Sequence, residues 1–459
     1  MPSIRVAASS AAAVAPLTWS QRATWPDRAA FDAAPAVPHL PRTLRVPDRA
    51  DADVERLSRA VGLLVERHAA LRTGFQPAGD DLRQVVAATG TLPVRLLTVP
   101  PSRADPDGAR AATELAAELA ADPVDHRGEF ALRVGLVRCG DRVRQVALAF
   151  SHAVVDFHAA EILLRDLRLA VLRGAVPGPA GWQPADVAAD EACHGGPRSQ
   201  RAARHWLAQF ERLPAEMFPA GAGPGPRQPV SGGPHDPVGA GPRHRVARLV
   251  SGAVDLAARV VAARYGVSTA TVLLAAIALA VADRAGTDGC GLATMSSNRF
   301  RVHHRTAVAS LNQIGLCHLD LTGRRRLTDL LGPTWQAALA AYRHAYYDPA
   351  TLAAAFAARG HHLASALAPH CYVNDLRLPR ESGPAPVADR AALWAATDRS
   401  VLTWLPAPDR FAWRCRWQVM DDPGGVALVV TADTAYLPPG DVEDLLVSVE
   451  ASLVRAAGG

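Results

Sequence analysis

Apolar residues recur along this chain at two spacings, and the alternation between them sets the expected architecture. Between 50 and 70, Val54, Leu57, Val61, Leu64 and Val65 fall on one face of a helical period, predicting an amphipathic helix that ends near His68. Strand-like runs follow at 84–86 and 94–97, then a helix rich in Ala, Leu and Glu over 108–121. Two apolar strands, 132–137 and 143–150, are joined by Arg138-Cys139-Gly140-Asp141, a hairpin signal. The chain then reads Ser151-His152-Ala153-Val154-Val155-Asp156 and enters a helix over 158–172.

The second half repeats the alternation. Strands are expected at 246–250, 291–295, 314–319, 401–405, 411–418 and 426–431, and helices at 255–265, 268–284, 334–358 and 440–456. Between the halves, 174–199 is rich in Pro, Gly, Ala and Asp and reads as an interdomain linker; the helix 201–213 that follows carries Trp206 and Phe210 on one face. A second stretch, 220–243, is denser still in Gly and Pro and reads as a long exposed loop. Gly221, Gly223 and Gly225 within it lack the strand–helix context that a phosphate cradle requires. The expected class is mixed α/β in two lobes: 1–175, a linker 176–200, and 201–459.

Composition narrows this picture. The 459 residues suggest two or three domains, and roughly a fifth of them are alanine, so the hydrophobic share of 49% overstates core-forming bulk. Charged residues at 20% exclude a disordered chain. All 49 basic residues are arginine, interspersed with 44 carboxylates for a net charge of only +5, so neither charge nor its distribution argues for a nucleic-acid partner. The longest apolar run, 272–282, is too short to span a membrane, and the alanine-rich N-terminus, interrupted by Pro16, lacks the pattern of a signal peptide. Six cysteines without any C-x-x-C pair point to reduced thiols in a cytoplasmic protein and to no metal site.

One local pattern carries chemistry. His152 and Asp156 stand four apart on a turn that leaves a buried-looking strand and enters a helix. A histidine at the end of a rigid element can present its ring to a cleft as a general base, and an aspartate just after it can fix the turn. On spacing alone, a solvated histidine and an N-capping aspartate are the simpler reading. Rival sites fail: Ser151 and His152 are adjacent and cannot form a nucleophile–base pair, no G-x-S-x-G elbow exists, and the pairs His303-His304 and His361-His362 read as surface residues. Trp19 and Trp25 read as core.

Five segments, in order, resemble nonribosomal peptide synthetase condensation domains. They are Pro16-Leu17-Thr18-Trp19-Ser20-Gln21-Arg22-Ala23-Thr24-Trp25, then Arg67-His68-Ala69-Ala70-Leu71-Arg72-Thr73-Gly74-Phe75, then Phe150-Ser151-His152-Ala153-Val154-Val155-Asp156-Phe157, then His205-Trp206-Leu207-Ala208-Gln209-Phe210, and Ser297-Asn298-Arg299-Phe300-Arg301. The resemblance covers nearly the whole chain. It implies a V-shaped pseudo-dimer of two chloramphenicol-acetyltransferase-like lobes with the active site in a central tunnel. A carrier protein would deliver an acyl or aminoacyl thioester on its phosphopantetheine arm, with no bound cofactor, and an amine or alcohol acceptor would enter opposite. His152 matches the catalytic histidine. Asp156 matches the structural aspartate, expected in a bidentate pair with Arg299 from the second lobe; Arg67 and Arg72 are as well explained by local pairing. Ser151, Phe157 and, with a turn role equally open, Asn374 are assigned to the substrate tunnel. Two departures stand out: Ser151 replaces the motif's first histidine, a mild change, and Phe157 replaces its glycine, which could narrow or close the donor side. The expectation is a free-standing cytoplasmic condensation enzyme of natural-product, for example antibiotic, biosynthesis, with its carrier in trans and no nucleic-acid or membrane partner. The alternatives are a non-catalytic platform that recruits a carrier protein or tailoring enzyme, and a CoA-dependent acyltransferase.

Overall fold

The computed structural model describes residues 3–8, 13–26, 28–33, 37–50, 52–100, 102–219, 243–377, 390–407 and 412–458. The glycine-rich triplet at 221–225 and all of the 220–243 stretch except Arg243 lie outside the described residues. The chain divides into two compact units. Unit 1 comprises 1–199, 297–313 and 347–350; unit 2 comprises 200–296, 314–346 and 351–459.

Unit 1 contains β1 (Ser3–Ala7), β2 (Ala13–Pro16), β3 (His39–Arg45), β4 (Thr73–Ala78), β5 (Asp81–Val86), β6 (Thr89–Val99), β7 (Leu132–Cys139) and β8 (Arg142–Ser151). Five form one sheet in the order β1-β6-β7-β8-β3, and β2-β5-β4 form a second. The β7–β8 hairpin closes through Gly140, whose φ of 69° is readily available only to glycine. The helix Val54–Arg67 begins where Asp53 accepts the Arg56 N–H at 2.7 Å and buries Leu57, Val61, Leu64 and Val65 as its period requires. Pro41 lies within β3, which is tolerated because β3 is an edge strand.

Unit 2 is built on β9 (His244–Ser251), β10 (Gly289–Ser296), β11 (Gln313–Asp320), β12 (Cys371–Asp375), β13 (Val401–Leu405), β14 (Cys415–Asp422) and β15 (Gly425–Asp433), in the order β11-β10-β12-β14-β15-β9-β13. The helix Thr269–Ala285 is buried continuously from Thr271 to Ala282. The apolar run is therefore a core helix, apolar on every side because protein surrounds it. Among the described residues no single helix is long and apolar enough to cross a membrane; this one and Gly252–Tyr265 are together apolar enough but are bent by 110°. All six cysteines are unpaired, and burial pushes the Cys317 thiol up to about 12.

Two expectations require correction. The stretch read as a linker is helical over Pro184–His194 and buries Val187, Ala188 and Glu191, with the Glu191 carboxylate accepting the Trp19 N–H at 2.8 Å. Pro184 stands in the first helical position, where proline starts a helix instead of breaking one. The helix expected over 334–358 is two, Leu327–Arg343 and Pro349–Ala357. Pro349 disfavours helical backbone at Asp348, whose N–H goes to Ser199 Oγ at 2.8 Å.

Candidate active site

The buried run of β8 delivers the chain to a tight turn. Ser151 O accepts the N–H groups of Val154 (3.2 Å) and Val155 (3.1 Å), and the His152 N–H reaches Pro38 O at 3.0 Å. His152 is half-buried, with Nδ1 3.0 Å from Val155 O. A carbonyl can only accept, so Nδ1 carries a proton, and the neutral ring is the tautomer with its lone pair on Nε2. Among the described residues nothing hydrogen-bonds to that Nε2.

Asp156 caps the helix Phe157–Arg173. Its Oδ1 accepts the Ala159 N–H and Arg299 Nη2, both at 2.7 Å, and its Oδ2 accepts the Leu311 N–H at 3.0 Å. Arg299 is buried with it and also donates to the carbonyls of His304 (2.6 Å), Ala307 (2.9 Å) and Ala309 (3.1 Å). The segment 297–313 thus folds around one guanidinium. Asn298, at its start, is buried with φ of 54° and donates to Leu311 O at 2.9 Å. The pair departs from expectation twice. It is not a two-by-two fork, because Oδ2 is taken by a backbone N–H and Nη1 by carbonyls. Nor does it come from the other lobe, because 297–313 belongs to unit 1.

Ser151, expected along a substrate tunnel, is fully buried, with Oγ 3.2 Å from His126 Nε2 and accepting the Ala153 N–H at 3.3 Å. His126 was not singled out from the sequence; a lone histidine 25 residues upstream carries no spacing signal. Burial lowers its pKa to about 4 and keeps it neutral, and its ring packs edge-on against Trp25 and Phe75. The Phe157 ring lies under Arg42, 4.6 Å from the guanidinium carbon, and Arg42 pairs with Glu161 at 3.4 Å.

The arginines of the second matched segment are structural ties. Arg67 donates to the Val176, Gly178 and Pro179 carbonyls, and Arg72 to those of Val65, Glu66 and Ala87. His68 between them meets Asp166 at 3.0 Å, and hydrogen bonds from His68 and Arg165, overcoming burial, hold the Asp166 carboxyl at about 2. Trp19 and Trp25 are core. Of the two histidine pairs, His304 is buried and bonds Asn298 O at 3.1 Å, contrary to the surface expectation; His303, His361 and His362 are exposed. Asn374 lies in β12 of unit 2, within a strand and not a turn. Among the described residues no group of three His, Cys, Asp or Glu could hold a metal ion. A cavity of about 970 Å³ lined by Pro93, Leu119 and Arg133 includes none of these site residues.

Comparison with known proteins places this geometry. Over 136 residues the chain is 38% identical to phosphinothricin tripeptide synthetase PhsC of Streptomyces viridochromogenes, covering 29% of this chain and 12% of that protein. Over 139 residues it is 33% identical to nonribosomal peptide synthetase 32 of Fusarium pseudograminearum, covering 30% of this chain and 1% of that one. The chain thus spans only a small part of the length of the curated relatives it matches. Among solved structures, SgcC5 from Streptomyces globisporus superposes with a TM-score of 0.70 at 19% identity, over 96% of this chain and 98% of that one. A structure of condensation domain-mediated chain release from the enacyloxin polyketide synthase gives 0.70 at 18%, over 98% and 83%. The fold is the mixed α/β, two-lobed chloramphenicol-acetyltransferase-like fold. The family profile described as Condensation domain matches residues 13–364, and the chain belongs to the condensation domain family.

Proposed function

We propose that this chain joins an acyl or aminoacyl group, carried as a phosphopantetheine thioester on a separate carrier protein, to an amine or hydroxyl acceptor, and that His152 is its general base. The observation that carries this reading is the His152 tautomer: Val155 O holds Nδ1–H, so the lone pair of Nε2 is available to a proton donor. Attack by the acceptor on the thioester carbon forms the new C–N or C–O bond and gives the acceptor's proton to Nε2. The C–S bond breaks, and the imidazolium returns that proton to the leaving thiolate. An amine acceptor needs less of this help than a hydroxyl, since an α-amine has a pKa of about 7.7–8.0. Asp156 and Arg299 position the turn without touching substrate.

The test is product formation from a loaded carrier supplied as a separate polypeptide. His152→Ala should lower the rate by about 10²–10⁴ with an unchanged melting temperature. A variant that turns over like wild type would remove His152 from the mechanism. The same acyl group offered on CoA separates a carrier-dependent enzyme from a CoA-dependent one, and carrier binding without product would favour a recruiting platform.

A further inference from the structure

We propose that unit 2 carries a binding pocket for a short branched or single-ring acyl group at the carboxyl ends of three parallel strands. β10, β12 and β14 run side by side in parallel. A cavity of about 220 Å³ is lined by Thr294 near the end of β10, Asp375 at the end of β12, and Val419 in β14. Ligands of open α/β sheets gather at this end of parallel strands. Leu273, Leu274 and Ile277, from the first half of the helix Thr269–Ala285, form the apolar wall together with Val373. All four are buried in the core, so the wall is fixed before any ligand arrives. Asn374 does not line the cavity although both its neighbours do, as alternation along a strand requires.

The polar end selects the ligand. Arg377 donates Nε to Asp375 Oδ1 at 2.9 Å and Nη2 to Oδ2 at 2.6 Å, and its backbone N–H reaches Oδ1 at 3.1 Å. The charges cancel within the pair, the carboxylate is largely occupied, and among the described residues the guanidinium keeps unused N–H donors. The Tyr342 hydroxyl is 3.5 Å from Thr294 Oγ1, at the outer limit of a hydrogen bond, and burial raises its pKa so that it stays protonated. An apolar wall ending in neutralised donors fits a carbonyl oxygen on a compact apolar body, and offers an ammonium group no uncompensated negative charge. The volume equals that of about seven liquid waters and so matches a body of about seven heavy atoms, a branched chain or one ring.

The pocket and His152 share no residue, so binding is measurable apart from catalysis. The full chain is titrated with isocaproamide, isocaproate and isohexylamine, followed by ligand-observed NMR. The amide and carboxylate should bind saturably, at least about ten-fold more tightly than the amine, since only they offer an acceptor to the donors. Ala270→Phe, at the half-exposed rim, should abolish binding without lowering the melting temperature, and Tyr342→Phe should weaken the amide about five-fold. An amine that binds as well as the amide, or binding that survives Ala270→Phe, overturns the assignment. His152→Ala should bind like wild type; should that variant also catalyse at full rate, the general-base reading falls and the pocket stands.

Discussion

Two buried regions of this chain are held together in opposite ways. Around Arg299 the contacts are hydrogen bonds: one carboxylate, three carbonyls and the Leu311 N–H are satisfied within a single loop and turn. Around the helix Thr269–Ala285 almost every contact is between apolar side chains. The difference lies in what a lost atom leaves behind. Deleting a methyl group from the helix forfeits buried area and leaves a small void. Deleting one carboxylate from the loop leaves a buried cation and two N–H groups without their acceptor.

The sharpest way to break this contrast is Asp156→Ala, which strands Arg299 and should cost about 3–5 kcal/mol in urea unfolding. Asp156→Asn, which keeps an acceptor, should cost less. An Asp156→Ala chain that unfolds at the wild-type urea concentration would mean the polar loop holds nothing.

Next comes acid. His126 has its pKa depressed to about 4 in the folded chain against about 6.5 unfolded. Between those values the unfolded chain binds a proton that the folded chain refuses. Its neutral-state stability is therefore complete above about pH 6.5 and falls as pH drops towards 4, by on the order of 3 kcal/mol in all. His126→Gln should flatten this part of the acid limb, read from urea midpoints at pH 7.5 and pH 5. His205 and His370, also held at about 4 by burial, contribute to the rest, as do His39, His68, His158, His304 and His318, which burial also lowers.

The smallest effect belongs to the apolar side. Ile277→Val should cost about 0.5–1.5 kcal/mol, with no change in the acid limb. A larger loss would mean that the helix tolerates voids no better than the loop tolerates a missing charge.

Elements whose own residues dictate them were legible in the sequence. The helix Val54–Arg67, the β7–β8 hairpin and the helix after Asp156 follow from periodicity, a turn glycine and a capping residue. Short edge strands such as β3 escaped, because Pro41 masks a strand that only its place at the sheet edge permits. The helix Pro184–His194 escaped because its composition resembles a spacer, while Glu191 is fixed by a partner 172 residues away. At the site, His152 and Asp156 stood out by their spacing on the turn, and Arg299 by motif resemblance alone. The loop carbonyls that fill Arg299, and the His126–Ser151 contact that occupies the place of the motif's first histidine, depend on long-range folding and leave no local pattern.

The return of 297–313 to unit 1 has a consequence for the timing of synthesis. Asp156 meets its guanidinium 143 residues later in the chain. When the first 199 residues have left the ribosome, the carboxylate still faces solvent and the turn bearing His152 lacks its outer support. At roughly 5–20 residues per second, the missing segment arrives on the order of ten seconds later. Unit 1 therefore cannot finish before much of unit 2 has been made. A chain cut after residue 199 is an unfinished lobe, because the segment that fills the place beside Asp156 is missing from it.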